Sequence, residues 1–317
     1  MTDMLADGTR LREYQAELPG ILANSDTSAR FKEILDRLVA MSERDYYNPY
    51  RRFDWPASIE ADTTWWMSPE LMSTHGTEFG ATLTEAQLMA LSKWESVNFY
   101  SLNVHGIREL LTEMIARIHT AEFALTSEYF HHIIGEENEH MWFFATFCLK
   151  YADKVYPSRA MSFAGPDIPE AQHFLIFTRL LIFEELVDVF NQRMGGDERL
   201  HPTIRQINAV HHEDESRHIA FGRQIVSLLH ADLRGRLSAG QLAELEAYVK
   251  RYMRVSVDSL CNPAAFRDAG FADPYAARRA VVADPAFQSD YTNRVLKRSI
   301  NHMVSSGIFS DERIPQS

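Results

Sequence analysis

Apolar side chains recur along this chain every three or four residues, the spacing of one face of an α-helix, with no stretch of strand-like alternation. Phe31, Ile34, Leu35, Leu38 and Met41 predict a helix over 27–44. An aromatic, loop-like segment follows (Tyr46, Tyr47, Tyr50, Phe53, Trp55, then Trp65 and Trp66), of the kind that caps a bundle. Thr84-Glu85-Ala86-Gln87 has the form of a capping box and opens a long helix running to about 119. Leu88, Leu91, Phe99 and Leu102 share its apolar face with one carboxylate, Glu95. A second helix, over 120–151, carries Phe130, Ile133, Ile134, Met141 and Phe144 on the face of Glu137 and His140. After a loop with Pro157, Gly165, Pro166 and Pro169, a third helix over 171–194 lines up Phe177, Leu180, Leu181 and Val187 with Glu184 and Asp188. Gly195-Gly196 ends it and Pro202 starts a fourth helix, to about 230. There Ile204, Ile207, Phe221 and Ile225 flank His211, Glu215 and His218. Ser238-Ala239-Gly240-Gln241 opens a fifth helix, to about 262, and a last one covers 289–305. The expectation is an all-α, single domain over 1–317. It divides into N-terminal helices and aromatic loops (1–80), a four-helix core (84–230) and C-terminal helices (238–305).

Composition narrows the function classes. A chain of 317 residues, 45% of them hydrophobic, can bury a full core. A formal net charge of -12 argues against a nucleic-acid binder, which draws its affinity from basic side chains on phosphates. Two cysteines, Cys148 and Cys261, make neither a disulfide framework nor a zinc motif. The N-terminal residues have no basic, apolar leader pattern, and no run approaches the roughly 20 apolar residues of a membrane span. A soluble, cytoplasmic protein with no nucleic-acid or membrane partner is expected.

The polar residues on apolar faces carry the chemistry. His211, Glu215 and His218 fall at i, i+4 and i+7, one face of a helix. A buried face with two imidazoles and a carboxylate needs a compensating charge. Glu137-Asn138-Glu139-His140 repeats the Glu-x-x-His pair of Glu215 and His218. Two such pairs, with one further glutamate on each of two other helices, form the ligand set of a carboxylate-bridged dinuclear metal site in a four-helix bundle. With the first hairpin turning near Arg117 and the second near Glu198, Glu95, Glu137, Glu184 and Glu215 reach similar heights. Glu109 lies too near the first turn. Periodicity favours Glu184 over its neighbour Glu185. His211 is read as a third imidazole ligand, with an outer, supporting histidine as the other reading. His212 is placed on the surface. Asp188 and Asp214 are candidate acceptors for the outer N–H groups of ligand histidines. Such donors suit two iron ions, or manganese, better than zinc.

The ordered set Glu95, Glu137-x-x-His140, Glu184 and His211-x3-Glu215-x2-His218 resembles the AurF-like non-haem di-iron N-oxygenases. That family includes p-aminobenzoate N-oxygenase and the arylamine oxygenase of chloramphenicol assembly. The run from Glu184 to Pro202 is also similar to the family, and its spacing to His211 supports Glu184 as a ligand; the third histidine, one turn before the last glutamate, is the ligand that distinguishes that family. The resemblance spans about 80–305. It implies a ferritin-like fold, two Fe ions with O2 as co-substrate, and oxidation of a small, preferably aromatic amine towards hydroxylamine, nitroso or nitro products in a biosynthetic pathway. It also implies an external electron donor (a reductase or ferredoxin) and a homodimer. Phe99, Tyr100 and Phe177 are candidate lining residues of the substrate cavity. An aromatic acid needs a cation for its carboxylate, which Arg294, Arg298 or Lys297 on the last helix would supply. The rival readings are a C–H hydroxylase or desaturase on the same metals, and a ferritin-like iron-binding protein.

Overall fold

A computed structural model describes residues 25–158 and 163–316 of the chain. The first 24 residues of the expected N-terminal segment lie outside the described residues. Among the described residues, eight helices of ten residues or more build the fold: α1 (Ser25–Asp45), α2 (Glu85–Ile115), α3 (Ser127–Ala152), α4 (Gln172–Gly196), α5 (Pro202–Arg234), α6 (Ala239–Leu260), α7 (Pro274–Ala283) and α8 (Thr292–Ser305). Among the described residues there is no strand, only an isolated bridge between Trp65 and Leu200. No helix there is long and apolar enough to cross a membrane.

Local chemistry sets the ends of these helices. Thr84 and Gln87 form the predicted capping box of α2: the Thr84 hydroxyl accepts from the Gln87 N–H at 3.3 Å, and Gln87 Oε1 accepts from the Thr84 N–H at 2.9 Å. Ser238 and Gln241 do the same for α6. Pro202 opens α5 at a position where its missing N–H costs nothing. Asp273 caps α7, a helix the sequence pattern did not bring out because it is short and bounded by two Asp-Pro pairs.

Helices α2 to α5 form the four-helix bundle. The hairpins α2–α3 and α4–α5 are its most extensive contacts, and α1 lies across α3 and α5. Helices α6 and α8 cover α4, which is therefore buried on nearly all sides. The close approach of α2 to α4 depends on Gly106: a Cβ there would lie 2.4 Å from the ring of Phe183.

Side-chain pairs fix the register. Tyr100 stacks on Phe144 with ring centroids 5.1 Å apart, which aligns α2 with α3. Phe99 stacks on Phe190 at 4.7 Å, which aligns α2 with α4. Asn208 donates to the Tyr100 hydroxyl at 2.7 Å, which aligns α2 with α5. One contiguous apolar cluster runs from Phe31 to Phe309 and encloses the polar centre described next.

The first hairpin differs from expectation. Its connection spans 116–126 and includes a short 3-10 helix, Ala121–Thr126, so its midpoint lies near Ala121 rather than Arg117. Glu137 stands 16 residues past that midpoint and Glu95 stands 26 before it. At ~1.5 Å per residue, Glu95 is displaced by ~15 Å along the bundle from the height of Glu137.

Candidate metal centre

Three glutamates and three histidines from α3, α4 and α5 converge at the middle of the bundle. Potential ligand atoms of Glu137, His140, Glu215 and His218 all lie within 4.8 Å of one another. His218 Nδ1 is 2.8 Å from Glu137 Oε1, 3.6 Å from Glu215 Oε2 and 3.8 Å from Glu184 Oε2. His140 Nδ1 is 3.6 Å from both Glu137 Oε1 and Glu215 Oε1. His211 Nε2 is 2.7 Å from Glu215 Oε1. All six side chains are buried. Helical spacing accounts for the convergence: the i, i+3 and i, i+4, i+7 intervals place these groups on the inward faces of α3 and α5.

Each histidine is held from behind. His140 Nε2 lies 3.0 Å from Asp214 Oδ2, and His218 Nε2 lies 2.7 Å from Glu136 Oε2. The Asn191 side-chain nitrogen lies 2.5 Å from His211 Nδ1 and backs the third ring. For His140 and His218 a carboxylate accepts the outer N–H and the inner nitrogen faces the cluster, the arrangement that presents imidazole to a metal. Arg217 joins two of these supports, donating to Asp214 Oδ1 at 2.6 Å and to Glu136 Oε1 at 2.8 Å. Its Nε donates to Ser42 of α1, and the Tyr47 hydroxyl donates to Asp214 Oδ2 at 3.0 Å.

Electrostatics and hydrogen bonding both show that the group suits cations. Burial, together with the Glu215 and Glu137 carboxylates, pushes Glu184 well above the usual carboxylate range. Burial also opposes charge on Glu215, yet His211 and His218 hold it well below that range. His140 is raised to about 10: burial works against its charge, and Glu137 and Asp214 overcome that. Glu137 Oε1, His140 Nδ1, Glu184 Oε2, His211 Nε2, Glu215 Oε2 and His218 Nδ1 are buried and have no partner in hydrogen-bonding geometry. Buried polar atoms rarely stay unsatisfied. Divalent ions would satisfy all six, and a set of oxygen and imidazole donors suits iron or manganese.

The structure does not bring every expected residue to this centre. Glu95 is buried, but both its oxygens face Ser73: Oε2 accepts from the Ser73 N–H at 2.9 Å and Oε1 from its hydroxyl. Its displacement follows from the longer hairpin connection. Glu184 faces the cluster, whereas Glu185 turns outward to Arg223, whose Nε donates to it at 2.6 Å. Asp214 supports a cluster histidine, but Asp188 does not. Asp188 pairs with His212 and, at 2.7 Å, with Arg298. Arg298 also donates to Gln192, and Arg294 lies over the Tyr291 ring, 5.4 Å from its centroid. Both arginines sit on α8, which packs on α4 outside the bundle core, so neither reaches the cluster.

A cavity of about 20 Å³ adjoins Glu184 and His218, lined by Met114, Ile133, Phe177, Leu180, Leu181, Phe221 and Gly222. Phe177 is thus a lining residue. Phe99 and Tyr100 pack into the core instead, against Phe190 and Phe144. Sequence reasoning missed Glu136, Asn191, Arg217 and Tyr47. Arg217 was legible in principle, since it lies three residues after Asp214 on the same helix face. The contributions of Glu136 and Tyr47 depend on how α1 and α3 pack against α5.

A comparison with curated proteins returned no match. A family model described as p-aminobenzoate N-oxygenase AurF matches residues 28–302, nearly the whole chain. Its members are non-haem di-iron oxidoreductases, and the buried glutamate–histidine cluster lies within the matched span. With the all-α fold and that cluster in place, the chain belongs to the AurF p-aminobenzoate N-oxygenase family.

Proposed function

We propose that this protein is an O2-dependent di-iron N-oxygenase that oxidises a small aromatic amine at nitrogen, towards the hydroxylamine, nitroso or nitro level, as a step in biosynthesis. The observation that carries the reading is the cluster itself: six buried donor atoms, three of them imidazole nitrogens freed by supports behind each ring. Bound there, iron would supply O2 activation and oxygen transfer to the amine lone pair.

The residues of the chain provide the setting. Asp214 and Glu136 accept the outer N–H of His140 and His218, so the inner nitrogens stay ligands, and Asn191 backs the His211 ring. Met114, Phe177, Leu180, Leu181 and Phe221 wall an apolar space beside Glu184 and His218. A cavity of about 20 Å³ has room for a molecule the size of water or dioxygen. An arylamine therefore enters only when some of these side chains swing aside. No arginine or lysine lines the cavity, so this wall favours an amine without a carboxylate over an amino-benzoic acid.

The electron donor is an external reductase or ferredoxin, the assembly is a homodimer, and manganese is the expected substitute metal on the same donors. The test is anaerobic loading with Fe(II), then exposure to ¹⁸O2 with a panel of arylamines, read by mass spectrometry. The expected product carries ¹⁸O on nitrogen and retains every C–H bond. Oxygen on carbon, or uptake of many irons per chain without amine turnover, would replace this reading with a hydroxylase or an iron-handling protein.

A further inference from the structure

Glu95 lies away from the metal centre, so helix α2 needs a different residue at the height of the cluster. The register identifies it. Asn208 of α5 bonds to Tyr100 of α2 at 2.7 Å; Phe99 and Gly106 of α2 meet Phe190 and Phe183 of α4, so α2 runs against α4 and parallel to its hairpin partner α5. One turn further along each, His211 therefore faces the level of Asn103. About three turns beyond that level, Met114 lines the cavity beside Glu184 and His218. The buried residues of α2 between Ser101 and Met114 are Asn103, Ile107 and Leu110, and Asn103 is the polar one. Asn103 is fully buried; its Nδ2 donates to the Phe99 carbonyl at 2.8 Å, and its Oδ1 has no partner. Its amide oxygen is thus unsatisfied in the same way as the six cluster atoms.

Resting on the di-metal reading, we propose that Asn103 is the contribution of α2 to the metal centre, a neutral amide oxygen on the side where a four-helix dinuclear site ordinarily takes a carboxylate. Two consequences follow. Three buried carboxylates, Glu137, Glu184 and Glu215, face two divalent ions, which leaves the loaded centre with one net positive charge. The two ions are also held unequally. The α4–α5 side offers Glu184, His211, Glu215 and His218, whereas the α2–α3 side offers Asn103, Glu137 and His140. The ion on the α2–α3 side is the weaker one.

Anaerobic equilibrium dialysis with Fe(II), repeated with Co(II), tests this without reference to turnover. The wild type is expected to take up two ions in steps at least tenfold apart in affinity. Asn103→Asp restores a carboxylate at equal size; it tightens the weaker step at least tenfold and weakens azide binding to the loaded centre. Asn103→Leu removes the oxygen and reduces uptake to one ion per chain. Two equal steps in the wild type, or two wild-type steps in both variants, would overturn the proposal. If Asn103→Leu does not fold by circular dichroism, the aspartate variant decides alone, and an unchanged weaker step rejects the idea. A wild type that binds no metal would instead overturn the di-metal reading on which this one rests.

Discussion

Asp214 Oδ2 lies 3.0 Å from Nε2 of His140, and this contact fixes which nitrogen of the ring faces the glutamates. The carboxylate accepts the outer proton and raises the basicity of the inner nitrogen. Asp214→Asn keeps the shape but removes the charge. Metal affinity should fall by about 10- to 100-fold, the usual cost of losing such a support, with an unchanged helical spectrum. Metal analysis after dialysis reads the result; full retention would show that Asp214 does not tune the ligand.

Arg217 is buried with its charge shared between Asp214 and Glu136. Removing one partner of such a pair leaves the other charges uncompensated. Arg217→Met should cost about 3 kcal/mol in urea unfolding and loosen both histidine supports. Arg217→Lys should recover only part of this, because one ammonium cannot span two carboxylates and Ser42 as the guanidinium does. A loss under about 1 kcal/mol in the methionine variant would contradict this account.

Glu95 gives a pH signature separate from the metal chemistry. Burial raises it from 4.5 to about 7, against the two hydrogen bonds from Ser73. The folded protein therefore keeps this proton to a higher pH than the unfolded chain does. Its contribution to stability falls as pH rises from about 4.5 to about 7 and is level above that. Glu95→Gln should abolish that slope and leave the protein about 3 kcal/mol more stable than wild type at pH 8. It should leave metal uptake intact, and loss of a metal ion in this variant would return Glu95 to the ligand set.

Glu184 and Glu185 are adjacent but face opposite ways, one to His218 and the other to Arg223. Glu184→Ala should lose an ion, whereas Glu185→Ala should keep both and show only a stability loss, read by metal content and thermal melting. The reverse pattern would mean that α4 turns differently in the loaded protein.

Much of this was legible in the sequence. The capping box at Thr84, the apolar stripes of α2 to α5 and the Glu-x-x-His pairs identified the bundle and brought Glu137, His140, Glu184, His211, Glu215 and His218 to one centre. Those signals are local, with spacing of a few residues on one helix. Glu95 depended instead on where a hairpin turns, and the short 3-10 helix at Ala121–Thr126 moved that point by about one helical turn. Arg298 looked free on an exposed stripe because its partner, Asp188, lies 110 residues away in sequence. Asn103 escaped notice because an amide on an apolar face reads as an ordinary core residue until the register is known.

The most direct test of the central claim is anomalous diffraction at the iron edge from crystals loaded with Fe(II) without air. The account predicts two iron peaks about 3.5–4 Å apart, enclosed by Glu137, His140, Glu184, His211, Glu215 and His218. Iron elsewhere, for example beside Glu95 and Ser73, or no ordered iron inside the bundle, would contradict it.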